Sequence, residues 1–258
     1  MTESMQELVS PNRQHQMKRE YRKWFSPHLN REMELLIFGD CGAPVIFFPT
    51  RTARFYDYED WGVIEAMEEK ILSGKIQVYC VDSIDEESLY CKDIPPAERM
   101  QRHLQFEKYL LYELLPLIQY QNNNPAIVSA GCSLGAYHAV NLAFRHPEYF
   151  KKVIGLSGRY DLSIKLEFFD DLFDGYWDEE IYYNMPGQYV HNINSDEQVQ
   201  ALQNLDIIFV VGVQDAFLEN NLQLSRSLRE KNIVNTLHLL EGEAHKARYW
   251  GELMEFYL

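Results

Sequence analysis

"AGCSLGAYHA", residues 130–139, sets a serine between two glycines, after an apolar run (125–129) and before a helical pattern. Gly131-Cys132-Ser133-Leu134-Gly135 fits G-x-S-x-G, the strand-to-helix turn called the nucleophile elbow. The glycines have a steric reason. A serine in that turn is strained, and only residues lacking Cβ let strand and helix backbones come so close. Ala136 and Ala139 keep the first helical turn slim as well.

Outward from the elbow, short apolar runs alternate with longer helical patterns. Upstream, "REMELLIFGD" (31–40) and "APVIFFPT" (43–50) read as two strands. They are too close for a crossover helix, so they are expected to pair antiparallel at one edge. "EDWGVIEAMEEKILSGK" (59–75) reads as a helix with Gly74 as its stop signal. "IQVYCVD" (76–82) is a buried-type strand. A helix over 96–120 follows, with Leu104, Leu111, Leu114 and Leu115 at helical spacing and Pro95 and Pro96 at its start. A strand over 126–130 leads into Ser133, and a helix over 135–145 closes at Pro147. Downstream come the strand "KKVIGLSG" (151–158), an irregular stretch, "LDIIFVVGVQD" (205–215), a helix to Lys231, "NTLHLLEG" (235–242) and a last helix to Leu258. Wholly apolar strands alternating with helices predict an α/β fold, a mostly parallel central sheet with helices on both faces. No repeat or low-complexity linker divides the chain, so 1–258 reads as a single domain, with 1–20 a loosely ordered N-terminal segment.

Ligands of such sheets bind beyond the carboxyl ends of the strands. Serine is a poor nucleophile until a base takes its proton, and the base needs a carboxylate to fix its tautomer. On elbow-bearing sheets the partners follow in the order serine, acid, histidine. Asp215 lies just past "IIFVVGVQ", and His245 lies in the loop after the last strand, so both fall on the rim that carries Ser133. Asp161, after "GLSGRY", is the rival acid. Of the other histidines, His15 and His28 precede the sheet, His191 is in the irregular stretch, and His238 is inside a strand. His103, His138 and His146 lie in helices or at their ends. Cys132 holds an elbow position whose side chain is not exposed. An oxyanion hole needs two backbone N–H donors, each worth on the order of 10²–10³ in rate. Leu134, directly after the serine, supplies one, and Thr50 or Arg51, in the loop after "PVIFF", supplies the other.

Composition bounds the rest. The 258 residues are 46% hydrophobic and 24% charged, those of an ordinary globular chain long enough to bury a core without disulfide or metal support. A net charge of −15 and a pI near 4.9 argue against nucleic acid, whose phosphates demand a basic footprint. The polar opening lacks a signal peptide's apolar core, and no run approaches the roughly 20 apolar residues of a membrane span. Cys41, Cys80, Cys91 and Cys132 show no metal-type spacing and read as reduced thiols of a cytoplasmic protein.

These residues resemble the esterase D-like branch of α/β-hydrolases, which includes S-formylglutathione hydrolases, carbohydrate esterase family one enzymes and mycolyltransferases. "SPHLNREMELLIFGD" is similar to the S-x-x-L-x-R that opens that family's long strand. "GCSLGAYHAVNLAFRHPEYFKKVIGLSGRYD" resembles its elbow, helix, His-Pro-Glu turn and next strand, and "GEAHKARYW" has its His-x4-Trp spacing. The resemblance spans 26–258. It implies an α/β-hydrolase fold, the catalytic roles for Ser133, Asp215 and His245, and a dimer such as relatives often form. The chain departs from the pattern in the first loop, where Phe48-Pro49-Thr50-Arg51-Thr52 replaces a glycine common in relatives.

The aromatic-rich stretch 159–205 falls where these hydrolases insert a partial lid, and Phe173, Tyr176, Trp177 and Tyr182 are its candidate pocket residues. Its acidic residues, Asp170, Asp171, Asp174, Asp178, Glu179 and Glu180, disfavour anionic substrates if they face the pocket. The expectation is a serine carboxylesterase of a small-molecule ester, needing no metal or cofactor. A neutral histidine base predicts activity that rises with pH through roughly 6 to 7. An acyltransferase with the same triad and a non-catalytic binding protein are the alternatives.

Overall fold

A computed structural model describes residues 16–242 and 245–258. Eight strands form one sheet in the order β1-β2-β4-β3-β5-β6-β7-β8. They are β1 (Arg19–Ser26), β2 (Arg31–Phe38), β3 (Ala43–Phe48), β4 (Ile76–Val81), β5 (Val128–Cys132), β6 (Lys152–Leu156), β7 (Asp206–Gly212) and β8 (Thr236–Leu240). From β4 across to β8 every pairing is parallel. Side chains alternate between two cores. Leu35, Ile37, Ile46, Phe48, Tyr79 and Val81 face one, and Leu36, Phe38, Val45, Phe47, Val78 and Cys80 face the other.

The edge differs from expectation. β2 and β3 do not pair with each other: β2 lies antiparallel between β1 and β4, and β3 lies between β4 and β5. The outer strand is β1, whose residues alternate between exposed and partly covered. Its charges (Arg19, Glu20, Arg22, Lys23) are those of a protected edge, and they hide it from a search for apolar runs. Arg19 and Glu20, expected in the loosely ordered segment, belong to this strand, and residues 1–15 lie outside the described residues.

The helix expected over 59–75 is three short pieces, α1 (Asp57–Asp60), α2 (Val63–Ala66) and α3 (Glu68–Leu72). Gly62, at φ +71°, breaks it, and Gly74, at φ +70°, ends it as its position suggested. The helix after β4 runs unbroken through α4 (Pro96–Tyr109), a π-helical turn (Leu110–Leu114) and α5 (Leu115–Gln121). Pro116 has no N–H to donate and crowds the preceding turn, and the wider π turn gives it room. The elbow leads into α6 (Leu134–Arg145). The irregular stretch holds α7 (Glu179–Tyr183), α8 (Pro186–Tyr189) and α9 (Asp196–Gln203), and α10 (Leu218–Glu230) and α11 (Ala247–Tyr257) complete the chain. α4, α6 and α10 cover the first core and α2, α3 and α11 the second. A third cluster, including Leu162, Leu172, Phe173 and Ile181 of the irregular stretch, packs on Leu134 and Tyr137 of α6. All four cysteines are free. No helix among the described residues is long and apolar enough to cross a membrane.

Candidate active site

Ser133 is the single residue between β5 and α6. Its backbone (φ 56°, ψ −118°) is one that residues with a side chain rarely adopt. The surroundings enforce it. The Ser133 N–H donates to the Leu156 carbonyl on β6 at 2.8 Å. A Cβ on Gly131 would meet the Gly135 carbonyl oxygen at 2.2 Å. One on Gly135 would meet the Phe48 and Pro49 carbonyl oxygens at 2.3 and 2.7 Å. Both glycines are therefore required by close approach, and the first turn of α6 presses on the end of β3. Buried Tyr58 ties the same two strand ends. Its hydroxyl donates to the Phe48 carbonyl at 2.9 Å and accepts the Cys132 N–H at 3.3 Å.

Asp215 lies three residues past β7, and its side chain is fully buried. The Phe217 N–H donates to it at 2.9 Å. His245 sits between β8 and α11, with Nδ1 3.2 and 3.3 Å from the two Asp215 oxygens and Nε2 2.8 Å from Ser133 Oγ. The tautomer that makes both bonds carries its proton on Nδ1, donates it to Asp215, and accepts the serine hydroxyl at Nε2. Burial opposes ionisation of Asp215, but the His245 imidazole and the Phe217 N–H outweigh it and hold the carboxyl below its ordinary value. The structure thus brings together Ser133, Asp215 and His245.

The rivals lie elsewhere. Asp161 accepts hydrogen bonds from Ser163 and Gln188. His138 is buried against Asp85 at 3.0 Å, and His103 is buried in α4, which lowers its pKa to about 3 and keeps it neutral. Cys132 is fully buried, and burial pushes its thiol well above the ordinary range.

Ser133 and His245 open into a cavity of about 280 Å³ that Thr50, Arg51 and Leu134 also line. The Leu134 N–H, at the first residue of α6, has no acceptor within the helix. The loop after β3 is held from both sides. The Ala53 N–H closes a turn onto the Thr50 carbonyl at 3.0 Å. Arg54 donates to Asp82 at 2.7 Å and to Glu34 at 2.8 Å.

The expected pocket residues are not in this cavity. Phe173 is buried in the third core cluster, and Tyr176 and Trp177 are exposed. Tyr182 lines a separate groove of about 650 Å³ alongside Arg145 and Tyr189. The stretch folds its own rings inward or outward to satisfy its packing, which a count of aromatics does not reveal. The walls come instead from Tyr90, Arg159, Phe169, Phe217 and Trp250. Three of these had a readable signal. Arg159 lies three residues past the end of β6 and Phe217 two past Asp215, on the rim where ligands are expected, and Trp250 completes the His-x4-Trp spacing.

The family model described as "Putative esterase" matches residues 55–254. The chain belongs to this esterase family, and its enzyme class is accordingly that of the carboxylic ester hydrolases. A ferulic acid esterase structure is similar at TM-score 0.73 and 17% identity, over 93% of this chain and 95% of that one. An S-formylglutathione hydrolase from Agrobacterium tumefaciens is similar at TM-score 0.69 and 16% identity, over 96% of each chain. An enterochelin esterase from Shigella flexneri is similar at TM-score 0.61 and 19% identity, over 92% of this chain and 56% of that one. At these identities the likeness is one of fold, the α/β-hydrolase fold. No curated protein matches the chain.

Proposed function

We propose that the protein is a serine carboxylesterase in which Ser133 is the nucleophile, His245 the base and then the acid, and Asp215 the group that orients His245. The observation that carries the reading is the unbroken relay from the Asp215 carboxylate through His245 to Ser133 Oγ, its last link 2.8 Å long. Ser133 Oγ attacks the ester carbonyl while His245 Nε2 takes its proton. The oxyanion so formed lies against the Leu134 N–H and an N–H of Thr50 or Arg51. Its collapse expels the alcohol, which leaves with the proton from His245, and the acyl group stays on Ser133. Water then attacks the acyl-enzyme with His245 again as base, releasing the acid. The buried Asp215 carboxylate stabilises the imidazolium at each proton transfer and remains ionised. None of these steps calls on a metal or cofactor.

The test is labelling by a fluorophosphonate probe read by intact mass. Wild type gains one probe equivalent and Ser133→Ala gains none. Folded wild-type protein that stays unlabelled would overturn the proposal.

A further inference from the structure

Arg159 is 3% exposed and still forms part of the wall of the Ser133 cavity. Its hydrogen-bond and ring partners among the described residues are neutral, and Asp161 and Asp171 act on it only through space. Nη2 donates to the carbonyls of Leu162, Ile164 and Asp170 at 3.0, 2.8 and 2.5 Å. Nε is buried with no acceptor among the described residues. The Phe169 and Phe217 rings each stand 5.9 Å from the guanidinium. Arg51, exposed at the same cavity, lies over the Tyr90 ring at 6.0 Å and has no carboxylate partner among the described residues. Tyr90 stands against both arginines.

The acidic residues nearest this pair make their hydrogen bonds to other groups, Asp161 to Ser163 and Gln188. Asp174 binds Lys92 and Arg99. Asp171 takes the N–H groups of Phe173 and Gly175. Asp178 caps α7, and Asp215 is committed to His245. A chain of net charge −15 therefore keeps, beside Ser133, two arginines with no ion-paired carboxylate among the described residues. A buried guanidinium without a counter-charge is costly. Burial lowers the Arg159 pKa from its ordinary value, in keeping with that cost. Arginine's planar donors match a carboxylate in particular.

We infer that the ester accepted by this site carries a carboxylate close to its scissile carbonyl, bound by Arg159 inside the cavity and by Arg51 at its mouth. The inference rests on the esterase reading and adds a substrate class to it. A cavity of about 280 Å³ limits the charged moiety to a short one. The carboxylate can sit on the acyl or on the alcohol part, and the experiment separates the two.

The acyl arm compares kcat/KM for the methylumbelliferyl esters of succinate (charged) and valerate (neutral). The alcohol arm compares the butyrate esters of 3-hydroxybenzoate (charged) and phenol (neutral). The expected result is a preference of about tenfold or more for the charged member of one pair. Arg51→Gln and Arg159→Lys should each reduce that preference at least about fivefold. Arg159→Lys keeps the charge while losing the fork, and Arg51→Gln alters an exposed side chain, so the two do not share a folding risk. Calorimetric binding of succinate monomethyl ester to Ser133→Ala reads the anion site without catalysis. Binding of that ester without turnover of any ester would uphold the anion site and overturn the esterase reading. Turnover of the neutral esters as fast as the charged ones in both arms would overturn the anion site and leave the esterase reading standing. So would wild-type preferences that both arginine variants retain.

Discussion

Asp215 and Gly135 act on Ser133 in different ways, one through the imidazole and one through the backbone. Asp215→Asn keeps the size of the side chain but offers His245 the wrong hydrogen-bond partner, which favours the tautomer with its proton on Nε2. The expected outcome is a fall in kcat of about 10⁴-fold in a protein that still folds, with a midpoint lowered by the lost stabilisation of the ionised carboxylate. Steady-state kinetics beside a urea titration check it. Gly135→Ala should act through the backbone instead. Its Cβ would sit 2.3 Å from the Phe48 carbonyl oxygen, which is backbone and cannot swing aside. The start of α6 must move off β3, at a cost of about 3 kcal/mol. Ser133 moves with it, so the rate of fluorophosphonate labelling should fall along with the urea midpoint. An alanine variant with wild-type stability would show that the contact is not binding. The glycines and the order of the three polar residues were legible in the sequence because each follows from a local rule about strand ends. Phe173, Tyr176, Trp177 and Tyr182 were not, because no local rule says which way a ring in an irregular stretch turns.

At the scale of elements, α4 and α6 are clamped by one carboxylate. Glu107 of α4 accepts from Arg145, at the end of α6, at 2.7 and 3.0 Å, and His146 stands 3.2 Å away. Burial opposes its charge, but His146 and Arg145 prevail and draw its pKa from 4.5 down to about 2. A carboxyl whose folded pKa lies below its unfolded one stabilises fully above the unfolded value and loses that contribution as pH falls through the folded one. Glu107→Gln should therefore cost about 2 kcal/mol at pH 7, with the gap to wild type closing between about pH 4.5 and pH 2. Urea midpoints measured across that range check it, and a gap independent of pH would contradict it. The elements themselves were legible to different degrees. Strands buried on both faces announce themselves as apolar runs, which is why β3 to β7 could be read. β1 has only one covered face, and its charged alternation resembles a polar loop. Gly62 sits inside a good helical pattern and breaks it, because its positive φ turns the chain where periodicity alone expects another helical turn.

Across the whole molecule, the strand order sends the ends of β3, β5, β6, β7 and β8 to one rim, and each end contributes a part of the site. β3 leads to Thr50 and Arg51, β5 to Ser133, β6 to Arg159, β7 to Asp215, and β8 to His245. The alternation of strands and helices foretold that rim. It could not foretell that two arginines line the cavity of an acidic protein, since net charge says nothing of where individual charges are placed.

Arg159 also gathers three carbonyls of the chain between Leu162 and Asp170 onto a single nitrogen, and the same guanidinium faces the cavity. Occupancy of the cavity and opening of this segment are thereby two faces of one equilibrium. By reciprocity, a ligand that grips the guanidinium must lower the population of the open segment by the factor that the opening weakens the ligand. Amide hydrogen exchange over 162–170 should slow on saturation with a carboxylate ligand, and exchange in the sheet strands should not. The segment would then act as a latch closed by its own cargo, with affinity and backbone order exchanged through one side chain.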